Sequence, residues 1–252
     1  MYGLALEGGG AKGAYQIGAY KALLERGYKF DAVVGTSIGC INAALICQGG
    51  LELLEELWNN VDASIFGFDP DEVSKIVARE SGFKKIRRKL IKMVVKNKGI
   101  EQKRLRKLLE QYIDEDKIRN SSIKFGLVTV KLKGYVPMEV TIDEIPKGKL
   151  IDYMIGSCSL PVFKLEPMID DNIYIDGGYY NVLPLTLLER MGCTNIIGVR
   201  LKKFGLIKHV KNKSTKVKLI KPTKNIGPIV LFEPSEIKKN IERGYKETLE
   251  QL

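Results

Sequence analysis

A serine between two glycines is the pattern in this chain that most directly suggests covalent chemistry. Ser37 follows the apolar pair Val33-Val34, and Gly35 and Gly39 flank it at the G-x-S-x-G spacing. A serine on a sharp strand-to-helix turn projects from the backbone, and small flanking residues let two elements pass closely. The N-terminus of the following helix favours developing negative charge. The pattern predicts a nucleophile, although short turns of glycine and serine are also common as purely structural features.

Upstream of the serine, the chain has four glycines within six residues. Residues 8–13 read Gly-Gly-Gly-Ala-Lys-Gly and follow a short apolar run at 2–6 that predicts a buried strand. Such a stretch forms neither helix nor regular strand at low cost, but its backbone N–H groups can converge on an anion. The candidate oxyanion donors are Gly8, Gly9 and Gly10. Lys12 is a candidate anion contact, and a solvent-facing lysine explains it equally well.

The same loop has a second interpretation. Gly8, Gly10 and Gly13 match the G-x-G-x-x-G fingerprint of dinucleotide-binding folds, placed between a predicted strand and a predicted helix. The fingerprint also requires an acidic residue at the end of the second strand. Asp31 comes before that strand rather than after it. A dinucleotide-binding module is therefore an alternative function with half of its signature missing.

A downstream aspartate supplies the second reactive group. Asp176 follows a predicted strand at 172–175 and precedes Gly177 and Gly178. Asp-Gly is a frequent turn pair, but a carboxylate held at a strand end can also take the proton of Ser37 as a general base. Partial burial would raise its basicity, and donors aimed at the oxyanion would stabilise the charge that forms.

The chain order Ser37, Asp176, His209 matches the order of the α/β-hydrolase triad. Two observations favour a Ser–Asp dyad instead. His209 lies among lysines without turn residues, and one predicted strand precedes the serine where that fold normally has several. Because His209 is the only histidine, histidine-rich metal motifs are excluded. Neither a metal nor a cofactor is expected.

Length and composition indicate one domain over residues 1–252, with 44% hydrophobic residues to form a core. No run of about 18 apolar residues suggests a transmembrane helix, and the N-terminus lacks the features of a signal peptide. The four cysteines are expected to be buried free thiols in a reducing compartment; they are Cys40, Cys47, Cys158 and Cys193. A cytoplasmic location is therefore predicted.

The order strand, glycine loop, helix, strand, turn, helix through residue 47 indicates a βαβ unit and a parallel sheet. Residues 51–120 predict a helical insertion, a candidate lid, that includes a basic amphipathic helix over 83–98. Further strands are predicted at 122–131, 135–142, 172–175 and 195–201, and helices at 150–158, 185–191 and 235–252. The terminal helix is expected to be capped by Ser235, and residues 202–224 are expected to form a basic loop.

The net charge of +11 fits several partners or none. Nucleic acid, an anionic membrane or an acidic substrate would each suit it, as would a solvated lysine-rich surface. The basic helix over 83–98 could lie on an anionic membrane, so peripheral membrane contact is considered. A non-catalytic protein that binds anionic lipid is thus a further alternative, and nucleic acid is not expected.

Taken together, three motifs resemble those of the patatin-like phospholipase family: Gly-Gly-Gly-Ala-Lys-Gly at 8–13, Gly-Thr-Ser-Ile-Gly at 35–39 and Asp-Gly-Gly at 176–178. The segments 156–161 and 181–184 also resemble those that flank the family aspartate. The resemblance implies a three-layer α/β/α sandwich around a mainly parallel sheet. It further implies acyl-ester hydrolysis of phospholipids or related glycerolipids, with Ser37 as nucleophile, Asp176 as its acidic partner and Gly8, Gly9 and Gly10 as the oxyanion loop. Glu7 departs from the family pattern, which often has aspartate there.

Overall fold

A computed structural model describes residues 1–66, 69–79, 101–160, 163–201 and 206–252, with positions 85, 86, 88, 89 and 92 between them. Apart from those positions, the basic helix predicted over 83–98 lies outside the described residues. Gly67, Phe68 and Pro161 also lie outside them.

The described residues form one eight-stranded mixed sheet in the order β5-β6-β3-β2-β1-β7-β8, with β4 paired to β3. The strands are β1 (Tyr2–Leu6), β2 (Ala32–Thr36), β3 (Lys124–Lys131), β4 (Val136–Thr141), β5 (Pro167–Ile169), β6 (Asn172–Asp176), β7 (Asn195–Val199) and β8 (Lys216–Ile220). Strands β3, β2, β1, β7 and β8 run parallel to one another, whereas β4 and β6 pair with β3 in the antiparallel sense. The predicted α/β fold with a mainly parallel sheet is confirmed.

Helices cover both faces of this sheet, which makes three layers. They are α1 (Ala14–Glu25), α2 (Ile38–Asn60), α3 (Pro70–Arg79), α4 (Gln102–Tyr112), α5 (Glu115–Arg119), α6 (Leu150–Cys158), α7 (Leu185–Arg190) and α8 (Pro234–Gln251). Leu4 and Leu6 pack on the face that carries α1 and α2. Ala5 and Val34 pack on the opposite face against α7. The central strands are apolar on both faces, as a sheet buried on both sides requires.

Helix α2 carries the candidate nucleophile at its N-terminus and is interrupted at Gly50, whose φ of 69° is not helical. The sequence predicts a stop at Gly49-Gly50 followed by a second helix, and the backbone changes direction there. By length and composition alone α2 could cross a membrane, but 61% of its most apolar window is buried inside the fold. In this fold it is a core helix packed against β2 and β3.

Two expectations for the C-terminal part are wrong. Residues 216–220, expected within a basic loop, form the edge strand β8, which extends the parallel sheet beyond β7. Alternating lysines suit an edge strand because their charges discourage pairing with another chain. The cap of α8 is Glu233 rather than Ser235, since the Glu233 side chain accepts a hydrogen bond from the backbone N–H of Glu236. The Ser235 hydroxyl in turn donates to the Glu233 carboxylate.

Candidate active site

Ser37 occupies a strained turn between β2 and α2. Its φ of 56° and ψ of −130° lie in a region that side-chain-bearing residues rarely adopt, at a cost of roughly 1–3 kcal/mol. The Ser37 backbone N–H donates to Ser157 Oγ at 2.9 Å, and the Ser37 carbonyl accepts from the N–H of Cys40 at 2.8 Å. These bonds hold the serine in the geometry that a nucleophile elbow requires.

The two flanking glycines are required by close backbone contacts. A Cβ on Gly35 would lie 2.0 Å from the carbonyl oxygen of Gly39, and a Cβ on Gly39 would lie 2.3 Å from that of Leu6. Both neighbours are backbone atoms, which cannot rotate away as a side chain can. The glycines therefore let the start of α2 cross directly over the ends of β1 and β2.

The register of β3 places Asp176 beside the serine turn. Strand β2 ends at Thr36, which pairs with Val128. Strand β6 approaches from the opposite direction and ends at Asp176, which pairs with Thr129. The ends of β2 and β6 thus pair with adjacent residues of β3 from its two sides. This pairing brings to one region of the sheet two residues 139 positions apart in the sequence (176 minus 37).

Asp176 is 3% exposed and Ser37 5% exposed. The Asp176 backbone N–H donates to the carbonyl oxygen of Ser159 at 2.9 Å. One carboxylate oxygen, Oδ1, accepts from the N–H of Gly178 at 2.7 Å. Gly177 fits tightly beneath it, since a Cβ there would lie 2.1 Å from the carbonyl oxygen of Val128. The Asp-Gly-Gly sequence therefore orients one carboxylate oxygen and lets the turn lie against β3.

The Cys158 thiol is influenced by both candidate catalytic groups. A hydrogen bond with Cys40 raises the pKa of the Cys158 thiol well above its ordinary value, and burial and the negative charge of Asp176 raise it further. A hydrogen bond between Cys158 and the Ser37 side chain acts in the opposite direction. Burial and the charge of Asp176 also raise the pKa of Tyr179. Ser37 and Asp176 are therefore both close enough to Cys158 to affect the pKa of its thiol.

This environment gives a pH-dependent labelling prediction. Because the raised pKa keeps the Cys158 thiol protonated, N-ethylmaleimide should modify it very slowly at neutral pH. The rate should rise by up to about tenfold per pH unit toward alkaline pH, as the thiolate fraction grows. Mass spectrometry of the Cys158 peptide measures this rate, with Cys193 on the opposite face of the sheet as an internal reference. Rapid modification at neutral pH would contradict the inferred environment.

The glycine loop lies beside Ser37, and its three amides differ. The Gly8 N–H donates to the carbonyl oxygen of Val182 at 3.0 Å, so it is engaged within the protein. Gly8 nevertheless lies against the nucleophile, since a Cβ there would be 3.2 Å from Ser37 Cβ. Among the described residues, no acceptor is bonded to the N–H of Gly9 or Gly10. These two amides are therefore the better candidates for oxyanion donors.

Buried polar groups support the loop from behind. The Gln16 side chain donates to the carbonyl oxygen of Glu7 at 2.8 Å, and Asn42 Nδ2 donates to Gln16 Oε1 at 2.8 Å. Trp58 Nε1 completes the chain by donating to Asn42 Oδ1 at 2.8 Å. The fully buried carboxylate of Glu7 also pairs with Arg200 at 3.5 Å. The longer glutamate, the departure noted from the family pattern, thus reaches from the glycine loop to the end of β7.

A narrow apolar cleft opens beside Ser37. Its cavity volume is about 40 Å³, so an acyl chain would have to displace side chains to enter. The lining is almost entirely hydrophobic and includes Gly10, Trp58, Leu105, Leu108, Cys158, Phe163 and Phe232. Trp58 and Phe232 stack with ring centroids 5.9 Å apart. Such a cleft suits an apolar chain rather than a charged ligand.

Other candidate residues contribute less to this geometry. His209 is exposed and makes no hydrogen bond within the described part of the chain. Lys12 is half-buried in the turn that follows the glycine loop, and its role as an anion contact stays a prediction. Across the described residues, no group of three or more His, Cys, Asp or Glu side chains is arranged to hold a metal ion.

Several site residues are not identifiable from the sequence pattern. Ser157, Cys158 and Ser159 bind the backbone or side chain of the candidate dyad, and Gln102 Nε2 donates to Ser159 Oγ at 2.7 Å from a distant helix. The small-residue run at 156–159 suggested only a resemblance. No local signal links Gln102 to the site, since the contact joins residues 57 positions apart.

Comparison with known proteins is consistent with this geometry. The model of the family "Patatin-like phospholipase" matches residues 4–188. The chain is 29% identical over 203 residues to "Lysophospholipase NTE1" of Mycosarcoma maydis, which covers 78% of this chain and 9% of that protein. It is 27% identical over 204 residues to "Neuropathy target esterase sws" of Drosophila melanogaster, covering 78% of this chain and 12% of the relative. The chain thus spans about a tenth of the length of these relatives.

Among solved structures, VipD from Legionella pneumophila has the same fold. The match has a TM-score of 0.59 at 16% sequence identity and covers 99% of this chain and 66% of that one. At this identity the similarity concerns the architecture of the sheet and its helices.

Proposed function

This chain belongs to the patatin-like phospholipase family, and from that premise we propose that it hydrolyses carboxylic esters of phospholipids or related glycerolipids through a Ser37–Asp176 dyad. The observation that carries the proposal is the pairing of the ends of β2 and β6 with adjacent residues of β3, which supports the assignment of Ser37 and the buried Asp176 as partners. The apolar cleft at Ser37 supplies a place for the acyl chain.

In the acylation step, Asp176 takes the proton of Ser37 as the hydroxyl oxygen attacks the ester carbonyl. The N–H groups of Gly9 and Gly10 stabilise the oxyanion, assisted by the N-terminus of α2. The hydrogen bond from the Gly178 N–H to Oδ1 orients the Asp176 carboxylate that accepts the proton. The alcohol or lysolipid then takes that proton and leaves, and the acyl group stays on Ser37.

In the deacylation step, water attacks the acyl-enzyme. Asp176 accepts a proton from that water, the same donors hold the second oxyanion, and the fatty acid leaves as Ser37 recovers its proton. Both half-reactions use the same carboxylate, so the site needs no histidine. The exposed position of His209, without a hydrogen bond among the described residues, fits this assignment.

Residues of the proposed insertion at 51–120 form much of the cleft wall, among them Leu57, Trp58, Leu105 and Leu108. We therefore assign this segment the role of a lid that must shift to admit an acyl chain. Because lipid substrates reside in bilayers, peripheral contact with an anionic membrane is part of the proposal. A cytoplasmic location stays a prediction.

The dinucleotide-binding alternative is disfavoured by the surroundings of the glycine loop. The Ala11 N–H donates to the carbonyl oxygen of Ile229 at 2.8 Å, and a Cβ on Gly10 would lie 2.1 Å from that oxygen. A pyrophosphate would need this amide and this space. The loop is instead covered by the backbone of Ile229.

Labelling with a fluorophosphonate tests the proposal directly. The wild-type protein should become covalently modified at Ser37, identified by peptide mass spectrometry, whereas Ser37→Ala should not be labelled. Hydrolysis of a panel of phospholipids, lysophospholipids and neutral glycerides should then follow the same dependence on Ser37. A folded wild-type protein that is neither labelled nor active would support the alternative of a non-catalytic lipid-binding protein.

A further inference from the structure

Helix α4 forms one wall of the apolar cleft and carries positive charge on its exposed face. Leu105 and Leu108 line the cleft, whereas Lys103, Arg104 and Lys107 are exposed. The helix is therefore amphipathic, and its apolar face packs into the core through Leu109 and also lines a candidate substrate site.

A shallow groove of about 520 Å³ runs along the charged face of α4. It shares Ile65 and Leu108 with the apolar cleft, so the two spaces adjoin at these residues. Glu101 also lines the groove, but it pairs with Lys164 at 3.3 Å. The groove therefore has a positive net charge and lies at one end of the apolar cleft.

The lysines of the groove differ in their ion pairing from Arg106 on the same helix. Arg106 is committed to Asp152, with a nitrogen–oxygen distance of 2.6 Å. Lys103 and Lys107 have no ion-pair partner within the described ranges. Arg104 Nη1 donates to the carbonyl oxygen of Ser64 at 3.1 Å, which ties α4 to the turn that carries Ile65.

Cations also lie on a neighbouring part of the cleft. Ile86 is buried in one cluster with Phe163 and Val230, both of which line the cleft. Lys85 and Lys92, on either side of Ile86 in the sequence, are exposed. Positive charge therefore occurs on two segments that border the same apolar space.

We propose that the cationic rim, defined as Lys103, Arg104 and Lys107, docks the protein on an anionic lipid bilayer with the cleft end at Ile65 and Leu108 against the surface. This inference rests on the function proposed above. Every methylene that crosses water costs free energy, so a cleft that takes an acyl chain from a bilayer should open directly onto it. Clustered Lys and Arg at that opening are attracted by anionic headgroups.

The docking helix is also connected to the candidate dyad. Gln102, at the start of α4, donates from its buried side chain to Ser159 Oγ, and the Ser159 carbonyl oxygen accepts from the Asp176 N–H at 2.9 Å. The start of α4 is thus connected to the Asp176 backbone through Ser159. A lipid bound at the rim would be presented to a site whose alignment the same helix supports.

The test measures binding to vesicles of phosphatidylcholine with and without phosphatidylglycerol. All variants carry Ser37→Ala, so that the lipid is not consumed and the result does not depend on catalysis. Neutralising the rim with Lys103→Gln, Arg104→Gln and Lys107→Gln should weaken binding to the anionic vesicles by at least about tenfold and make it less sensitive to salt. Binding to pure phosphatidylcholine should change little.

Two control variants distinguish the effect of the rim's position from a general loss of positive charge and from a disturbed fold. The triple variant Lys213→Gln, Lys238→Gln, Lys246→Gln removes the same charge from exposed sites elsewhere, and its binding should stay within about twofold of the parent. The double variant Lys103→Gln, Lys107→Gln keeps the Arg104 bond to Ser64 and should still lose most of the affinity. Equal weakening by the rim and control triples, or unchanged binding of the rim triple, would overturn the proposal.

Activity assays with Ser37 intact distinguish docking from recognition of a single headgroup. The double variant Lys103→Gln, Lys107→Gln should hydrolyse soluble p-nitrophenyl butyrate and monomeric short-chain phosphatidylglycerol at wild-type rates, but anionic vesicles about tenfold more slowly at limiting lipid. Slower hydrolysis of the monomeric phospholipid would show a substrate headgroup site and overturn the docking proposal. If the wild-type protein hydrolyses none of these esters, the proposed function fails. The vesicle-binding experiment still shows whether the cationic rim docks on an anionic bilayer.

Discussion

Replacement of Asp176 by asparagine is expected to lower kcat for ester hydrolysis by roughly 10³–10⁴-fold with little loss of stability. The substitution is nearly isosteric, and the asparagine oxygen can still accept the hydrogen bond that Gly178 donates to Oδ1. The turn and the end of β6 should therefore keep their positions. Only the ability to accept the Ser37 proton is lost. Steady-state hydrolysis of p-nitrophenyl butyrate, together with thermal unfolding, measures both expectations.

The double variant Ser37→Ala, Asp176→Asn sharpens this prediction. Two groups that act as a unit are non-additive, so the double variant should be no slower than Ser37→Ala alone. His209→Ala should retain wild-type activity, because His209 is exposed and forms no hydrogen bond in the described part of the chain. Near-normal activity of Asp176→Asn would exclude both the dyad and the triad, whereas a collapse of activity in His209→Ala would bring back the triad.

The central strands of the sheet were largely predictable because they are local apolar runs bounded by glycine, proline or charged residues, whereas the strand order was not predicted. The run at 2–6 and the one at 32–34 are examples, and each forms a buried parallel strand. Strand β8 escaped prediction because its lysines read as a solvated loop. It is an edge strand, and edge strands tolerate charge on both sides of the pleat.

The candidate reactive residues were predictable from motif chemistry, whereas their supports were not. Ser37 and Asp176 each carry local glycine signatures that follow from close backbone contacts. Ser157, which receives the Ser37 N–H, and Gln102, which reaches Ser159, act through contacts between distant parts of the chain. Contacts between distant segments leave no characteristic residue spacing in a single sequence. The hydrogen bond from the Gly8 N–H to the carbonyl oxygen of Val182 is another contact of this kind, because it also joins distant parts of the chain.

The motif glycines give the largest expected effect on stability. Gly39→Ala would place a Cβ 2.3 Å from the carbonyl oxygen of Leu6 and 3.0 Å from that of Glu7. Relief requires α2 to move away from β1, which would also loosen the Ser37 turn. We expect a loss of about 3 kcal/mol or more in the free energy of unfolding, and a fall in Tm of roughly 10 °C.

A second glycine in the same helix provides a matched control. Gly49 is exposed, and the nearest atoms to a Cβ there belong to the Leu53 side chain, at 3.1 Å. Since a side chain can adjust and alanine favours helix by up to about 1 kcal/mol over glycine, Gly49→Ala should change stability by no more than about 1 kcal/mol. Urea unfolding of the two variants makes the comparison. Similar stabilities would mean that the crossing of α2 over β1 yields easily, and that the glycine at position 39 is needed for the reaction rather than for packing.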